Sequence, residues 1–150
     1  MSGPLSPLMT FDVEVGPPVT IDTTAGQGRR FIPILGGTVS GRHTGRILPG
    51  GGDWQHIHAD GRLELTAQYI LELDGGATVE VLSQGVRQGP PEVLARLARG
   101  EAVDPSEYYF RTSIRLRTAA PELAHLNARL CIAYGARMAN RVRIDVHEVL

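Results

Sequence analysis

The sequence of 150 residues contains no lysine, so all fifteen basic residues are arginines, and sixteen acidic residues give a formal net charge of -1. Schiff-base chemistry and a P-loop nucleotide site both need a lysine, and the composition excludes them. A balanced charge also argues against a nucleic acid or an anionic membrane as the partner. We therefore expect no nucleic-acid partner and no membrane partner.

Cysteine is also scarce, because Cys131 is the only one. A single cysteine excludes an internal disulfide framework and favours a reducing compartment. Its neighbours Leu130 and Ile132 are apolar, which predicts a buried structural thiol and not a nucleophile. The sequence shows neither a signal-peptide pattern nor an apolar run long enough to span a membrane. We predict a cytoplasmic protein.

The apolar residues recur mainly with the period of β-strands. Apolar and polar residues alternate from Leu63 to Leu73, with turn signals on both sides of this run. Only residues 91–99 break the period, and their early proline and acid, late arginines and following glycine predict a short helix. Nine or so short strands are typical of an all-β barrel or sandwich. We favour a single antiparallel β-barrel over residues 1–150, with residues 1–8 as a loose arm, because closure removes exposed sheet edges.

Residues 45–58 are the most distinctive stretch of the chain. A triple glycine, which lets the backbone approach another backbone or a ligand closely, precedes the only tryptophan, an aspartate and two alternate histidines. On a strand, Trp54, His56 and His58 share one face. We predict that this stretch lies at the mouth of a cavity and that these three residues, together with Tyr69, bind a ligand. The alternative is a barrel corner with a buried tryptophan.

Three motifs, at residues 45–55, 86–94 and 104–112, resemble a bacterial and fungal family catalogued as domain-of-unknown-function family 3237. The resemblance extends over residues 11–149. The matching positions are Gly37, Gly41, Pro49, Gly50, Gly51, Asp53, Trp54, Gln55, Arg87, Gly89, Pro90, Tyr108, Tyr109, Phe110, Arg111 and Thr112. The resemblance implies a small antiparallel barrel of calycin or allene-oxide-cyclase shape and no assigned activity. His56, His58 and His125 depart from the family pattern, so no family-wide role is implied for them.

Asp53, Tyr109 and Arg111 are the candidate catalytic residues. A carboxylate near a phenol and an arginine can bind an enolate or phenolate and move a proton. These roles predict a cofactor-free isomerase, cyclase or hydratase that acts on a small aromatic or polyketide-like compound. The alternative reading of Asp53 and Arg111 is a structural ion pair between strands.

Two further functions remain open. The first is a barrel that binds a similar small ligand without changing it. The second is a cupin-like metal enzyme that uses His56 and His58, with His147 as a possible third ligand. However, Glu64 lies six residues beyond His58, whereas the cupin motif needs a glutamate four or five residues beyond it. We favour the enzyme without a cofactor or metal. We also expect a homodimer, because both faces of several strands carry apolar residues.

Overall fold

The computed structural model describes residues 3–24 and 27–150, which form ten β-strands, one α-helix and two 3-10 helical segments. The strands are β1 (Leu5–Val15), β2 (Val19–Thr24), β3 (Gln27–Gly41), β4 (Gly45–Ile47), β5 (Gly52–Ile57), β6 (Leu63–Leu73), β7 (Thr78–Gln88), β8 (Tyr109–Arg117), β9 (Cys131–Arg137) and β10 (Arg141–Val149). The helix α1 spans Pro91–Ala98, and the 3-10 segments span Pro105–Glu107 and Pro121–Ala128.

The strands close into an eight-stranded antiparallel barrel with two extra strands. The ring runs β1-β10-β9-β8-β7-β6-β4-β3, and the pairing of β3 with β1 closes it. The extra strand β5 lies beside β4, between β3 and β6, and β2 pairs with the first part of β3. The predicted all-β antiparallel barrel is confirmed. Among the described residues, no helix is both long and apolar enough to cross a membrane.

Alternation along each strand decides which side chains fill the barrel. In β6 the residues from Leu63 to Leu73 alternate between buried and solvent-facing, as the sequence pattern predicts. In β8 the residues Phe110, Thr112, Ile114 and Leu116 are buried, and their neighbours face outward. In β6 and β8 the side chains of even-numbered and odd-numbered residues therefore lie on opposite faces of the barrel wall.

The two ends of the barrel differ in what they contain. At one end, Leu71, Val79 and Leu116 are fully buried, and the second 3-10 segment packs Leu123 and Leu126 into the same core. The other end, where β5, β7 and β9 finish, has polar side chains among its inward-facing residues. Helix α1 follows β7 at this end, and its residues Val93 and Leu97 are buried. Its predicted position at one end of the sheet is therefore observed.

The triple glycine connects β4 to β5 through close backbone contacts. Gly50 has φ of +104°, a conformation that favours glycine. A Cβ on Gly51 would lie 2.6 Å from the carbonyl oxygen of Gln68 and 2.6 Å from Cβ of Tyr69. A Cβ on Gly52 would overlap the edge of the Phe31 ring, 2.0 Å from its nearest carbon. The predicted close approach is therefore to neighbouring strands, and it fixes the start of β5 against Tyr69.

The prediction of a loose arm over residues 1–8 needs correction. From Leu5 onward the chain is part of β1, with Leu5 opposite Val149 and Ser6 opposite Glu148 in β10. These residues complete the ladder with the last strand, a long-range pairing that local composition does not reveal. Residues 1 and 2 lie outside the described residues.

We predict that replacement of Gly51 by alanine destabilises the barrel by about 1 to 3 kcal/mol, because the added methyl group meets strand backbone that cannot rotate away. The control is Gly28→Ala, whose Cβ would lie 3.6 Å from the nearest atom in an ordinary contact, with an expected change within about 0.5 kcal/mol. Urea unfolding of both variants measures the difference. Equal stabilities would contradict the role assigned to Gly51.

Candidate active site

A cavity opens at the polar end of the barrel. Its walls are mostly apolar, with a polar side formed by a smaller group of residues. The apolar lining residues are Val13, Val15, Ile32, Ile34, Leu63, Leu65, Ala67, Phe110, Val142 and Ile144. The polar lining residues are Arg30, Asp53, Gln55, Tyr69, Ser83, Arg87, Thr112 and Arg137. A mostly apolar pocket with a few convergent polar groups is the usual form of a small-molecule site.

A hydrogen-bonded chain of three side chains forms part of the polar side. The Nε of Arg30 donates to Oε1 of Gln55 at 2.6 Å, and the Nε2 of Gln55 donates to Oδ2 of Asp53 at 2.7 Å. The paired strands β3 and β5 bring these residues together, because Arg30 lies opposite Gln55 in the ladder. Gln55 is buried, and its two bonds orient its amide group. One oxygen of Asp53 is thus held in place.

Three other polar atoms at the cavity have no hydrogen-bond partner among the residues that the structure describes. They are Oδ1 of Asp53, Nε of Arg87 and Oγ1 of Thr112, and all three are buried. A buried polar atom without a partner costs about 1 to 3 kcal/mol. Their residues line the same cavity, which makes these atoms candidate contacts for a polar ligand.

Burial raises the pKa of Asp53 to about 6. The hydrogen bond from Gln55 and the charges of Arg30, Arg87 and Arg137 act in the opposite direction but do not outweigh the burial. The Asp53 carboxyl can therefore both release and accept a proton near neutral pH, which is what a general acid-base catalyst requires.

The basic and phenolic groups of the cavity are also perturbed by burial. It lowers the pKa of Arg87 to about 10, and it lowers the pKa values of Arg30 and Arg137. Burial, with a smaller contribution from the Asp53 charge, raises the pKa of Tyr69. The polar side of the cavity therefore combines three guanidinium groups, a neutral phenol and one carboxyl that titrates.

Of the three predicted catalytic residues, Asp53 lines the cavity and the other two do not. Tyr109 and Arg111 lie on the outer face of β8, because the inward positions of this strand belong to Phe110 and Thr112. The Arg111 guanidinium lies over the ring of Tyr134, 4.3 Å from its centroid, and 5.1 Å from that of Tyr109. Neither the catalytic nor the structural pairing of Asp53 with Arg111 is present in the structure.

Of the four predicted ligand-binding residues, only Tyr69 lines the cavity. Trp54 and His56 face outward from β5, because Asp53 and Gln55 occupy its inward positions. Trp54 is half exposed and packs on Phe31, with ring centroids 4.7 Å apart. The inference that the shared face of Trp54, His56 and His58 is the cavity wall was therefore wrong. The alternative prediction, a buried tryptophan at a barrel corner, was wrong as well, because Trp54 is half exposed.

His56 and His58 do meet a carboxylate, but outside the barrel. Their rings are 4.2 Å apart, and Nε2 of His58 is 3.4 Å from Oε1 of Glu64. The ligand atoms of these three residues all lie within 4.8 Å of one another. Glu64 lies opposite His56 in the β5-β6 ladder, so strand pairing supplies the proximity that sequence spacing argued against. A cupin-like centre inside the barrel does not form, and His147 packs against Tyr134.

The cavity positions of the three arginines and the bridging role of Gln55 were not predicted from the sequence. A signal was present, because Arg30 has the same phase as Ile32 and Ile34 in β3. Arg87 shares its phase with Val79 and Val81 in β7, and Arg137 with Cys131 and Ala133 in β9. A charged residue in phase with a buried face points into the interior.

Comparisons with known proteins identify relatives that match the whole chain. The family model described as "Protein of unknown function (DUF3237)" matches residues 4–149. The UPF0311 protein blr7842 of Bradyrhizobium diazoefficiens is 43% identical over 143 residues, which cover 95% of this chain and 94% of that protein.

Two solved structures show the same fold. That of the conserved protein of unknown function RPA1785 from Rhodopseudomonas palustris has a TM-score of 0.96 and 41% identity, and the match covers 100% of this chain and 99% of the other. That of an enzyme from Penicillium herquei has a TM-score of 0.75 and 17% identity, with coverage of 100% and 96%. The motifs, the family model and the close relatives agree, and the chain belongs to the DUF3237 family of proteins of unknown function.

Proposed function

We propose that the protein is a cofactor-independent isomerase, cyclase or hydratase that moves a proton on a small aromatic or polyketide-like substrate inside the barrel. One observation carries the proposal: a buried carboxyl with a raised pKa, Asp53, shares an open cavity with three guanidinium groups. Perturbed titratable groups in a cleft are typical of catalytic sites. Of the three predicted catalytic residues, only Asp53 keeps a role in this mechanism.

In this mechanism, Oδ1 of Asp53 accepts a proton from an acidic C–H or O–H bond of the substrate. The electron pair of that bond becomes the charge of an enolate or phenolate, which lies near Arg87 and is stabilised by its guanidinium group. Asp53 then returns the proton to a different atom of the substrate. Protons and charge balance without a cofactor. The outcome is an isomerisation, a ring closure when a substrate oxygen adds across a double bond, or a hydration when a water molecule loses its proton to Asp53 and adds across that bond.

Gln55 and Tyr69 have supporting roles in this mechanism. The amide of Gln55 donates to Oδ2 of Asp53, and Oδ1, which has no partner among the described residues, is left to bond the substrate. Tyr69 remains a neutral hydrogen-bond donor because its pKa is raised. The ring of Phe11 packs edge-on against that of Tyr69 at 6.0 Å and limits its rotation. The barrel from Penicillium herquei, described as an enzyme, gives fold-level support only.

A non-catalytic binding barrel is the second candidate function. The observation in its favour is the predominance of apolar residues in the cavity wall. Both candidates predict a bound small molecule. Only the enzyme predicts that Asp53 exchanges a proton with it.

We predict that Asp53→Asn makes the protein more stable than the wild type at pH 8. The folded-state pKa of about 6 lies above the 3.8 of an exposed aspartate, so the folded state holds the proton more tightly than the unfolded state. The protonated carboxyl makes its full contribution to the free energy of unfolding below about pH 4. This contribution is lost as the pH rises through 6. The free energy of unfolding of the variant therefore exceeds that of the wild type by about 1 to 3 kcal/mol at pH 8, and the difference vanishes near pH 4.

Denaturant unfolding at pH 4, 6 and 8 measures this effect. The matched control is Asp12→Asn on the outer face of β1, where Asp12 pairs with Arg141 at 2.8 Å. This change removes a surface ion pair, with an expected effect within about 1 kcal/mol. A large loss of stability in Asp53→Asn at pH 8 would assign Asp53 a structural role instead.

We also predict that Asp53→Asn greatly slows proton transfer, because the variant lacks the base. A suitable probe is hydrogen-deuterium exchange at the activated methylene of 2-tetralone, followed by proton NMR in deuterated water. For the wild type, kcat/KM rises with pH through about 6, the pKa of the base, and the variant loses about 10² to 10⁴ in rate. Arg111→Met, on the outer face, leaves the rate unchanged. Wild-type exchange no faster than in Asp53→Asn, across a panel of cyclic ketones, would contradict the proposal.

A further inference from the structure

We propose that the natural ligand of the cavity is an organic anion, in which an apolar ring system carries an ionised carboxylate that binds against Arg87 and Arg137. This inference rests on the proposed function for the use of the cavity as the active site, and it adds the chemical class of the substrate. The enolate of the proposed mechanism is a separate charge that exists only during the reaction.

The charge balance of the cavity is the first argument. Its lining contains three arginines and one aspartate, so even with Asp53 ionised two positive charges lack a negative counterpart. Among the residues that the structure describes, ion pairs join arginines to carboxylates elsewhere on the protein but not at Arg30, Arg87 or Arg137. Buried charges are normally paired, because desolvation of an unpaired charge is costly.

The hydrogen bonds indicate which arginines are available. The Nε of Arg30 is occupied by Gln55 at 2.6 Å. The Nε of Arg87 is buried and has no partner within the described residues. The backbone N–H of Arg137 donates to the Tyr108 hydroxyl at 2.8 Å, and within residues 3–24 and 27–150 its guanidinium group has no hydrogen-bond partner. Arginine presents paired donors that match the two oxygens of a carboxylate, so Arg87 and Arg137 form the anion-binding part of the cavity.

The apolar lining residues of the cavity indicate the chemical nature of the uncharged part of the ligand. Ile32, Leu65, Phe110 and Ile144 are among the ten apolar residues that line the cavity. An inorganic anion would leave this apolar surface without a partner, whereas an aromatic or alicyclic ring buries it. The combination of apolar walls with two available guanidinium groups therefore fits an amphipathic organic acid.

Equilibrium binding of 2-naphthoate and 2-naphthamide tests this inference without any turnover. The two compounds have the same shape and differ in charge. By isothermal titration at pH 7.5, we expect the wild type to bind 2-naphthoate at least about tenfold more tightly than the amide, a factor that corresponds to one charge-assisted contact. Equal affinities, or no binding of either compound, would overturn the inference. Inorganic phosphate is the third ligand, and binding as tight as that of 2-naphthoate would overturn the role of the apolar walls.

Variants locate the charge that discriminates between the two compounds. Arg87→Gln should remove the preference for 2-naphthoate, and Arg137→Gln serves as a second variant if the first does not fold. The control is Arg115→Gln, on the exposed outer face of β8, which should keep the preference. An equal loss in Arg87→Gln and Arg115→Gln would show a surface effect and contradict the assignment.

Asp53→Asn separates this inference from the proposed function. Loss of the Asp53 carboxylate removes repulsion from a bound anion, so the variant should bind 2-naphthoate more tightly than the wild type at pH 7.5, with equal affinities near pH 5. Arg30, Arg87, Arg137 and Tyr69 are the other titratable groups of the cavity. Burial lowers the pKa of Arg87 to about 10, lowers the pKa values of Arg30 and Arg137, and raises the pKa of Tyr69. Tighter binding by an inactive variant supports both proposals. If the variant binds more tightly but the wild type shows no proton exchange, only the proposed enzymatic function is contradicted. Weaker binding of 2-naphthoate by the variant contradicts the proposed anionic ligand.

Discussion

Burial of the Asp53 carboxyl among three arginines is the interaction on which the rest of the site depends. In water the carboxyl would be ionised at neutral pH and of little use as a proton carrier. Inside the barrel, desolvation raises its pKa to about 6, and the guanidinium groups limit that rise. The balance of these opposing effects gives one group that both accepts and releases a proton at physiological pH.

The barrel makes this balance possible by dividing its interior into two ends. Large apolar side chains and the segment Pro121–Ala128 fill one end and supply the core that stabilises the fold. The polar residues gather at the other end, where the antiparallel ladders place the end of one strand beside the start of the next. Gly51 allows β5 to begin directly against Tyr69, so that Asp53 and Gln55 enter the cavity from a rigid strand and not from a loop.

The sequence predicted the barrel and helix α1 well, because strand alternation and the helix-end signals are local. It also singled out Asp53 and Tyr69, two residues that line the cavity. The errors concern which face of a strand is inward. Trp54 and Arg111 attracted attention by their chemistry, although their phase is opposite to that of the buried residues beside them. The ladder between β5 and β6, which brings Glu64 to His56, is a long-range pairing that no local pattern contains.

We infer that Asp53 is a buried carboxyl that titrates near neutral pH. A carbon-13 NMR titration of its side-chain carboxyl, assigned by comparison with Asp53→Asn, measures this directly. We predict a pKa of about 6. A pKa near the 3.8 of an exposed aspartate would contradict it, because the carboxyl would then be a permanent counter-ion of the arginines and no proton carrier.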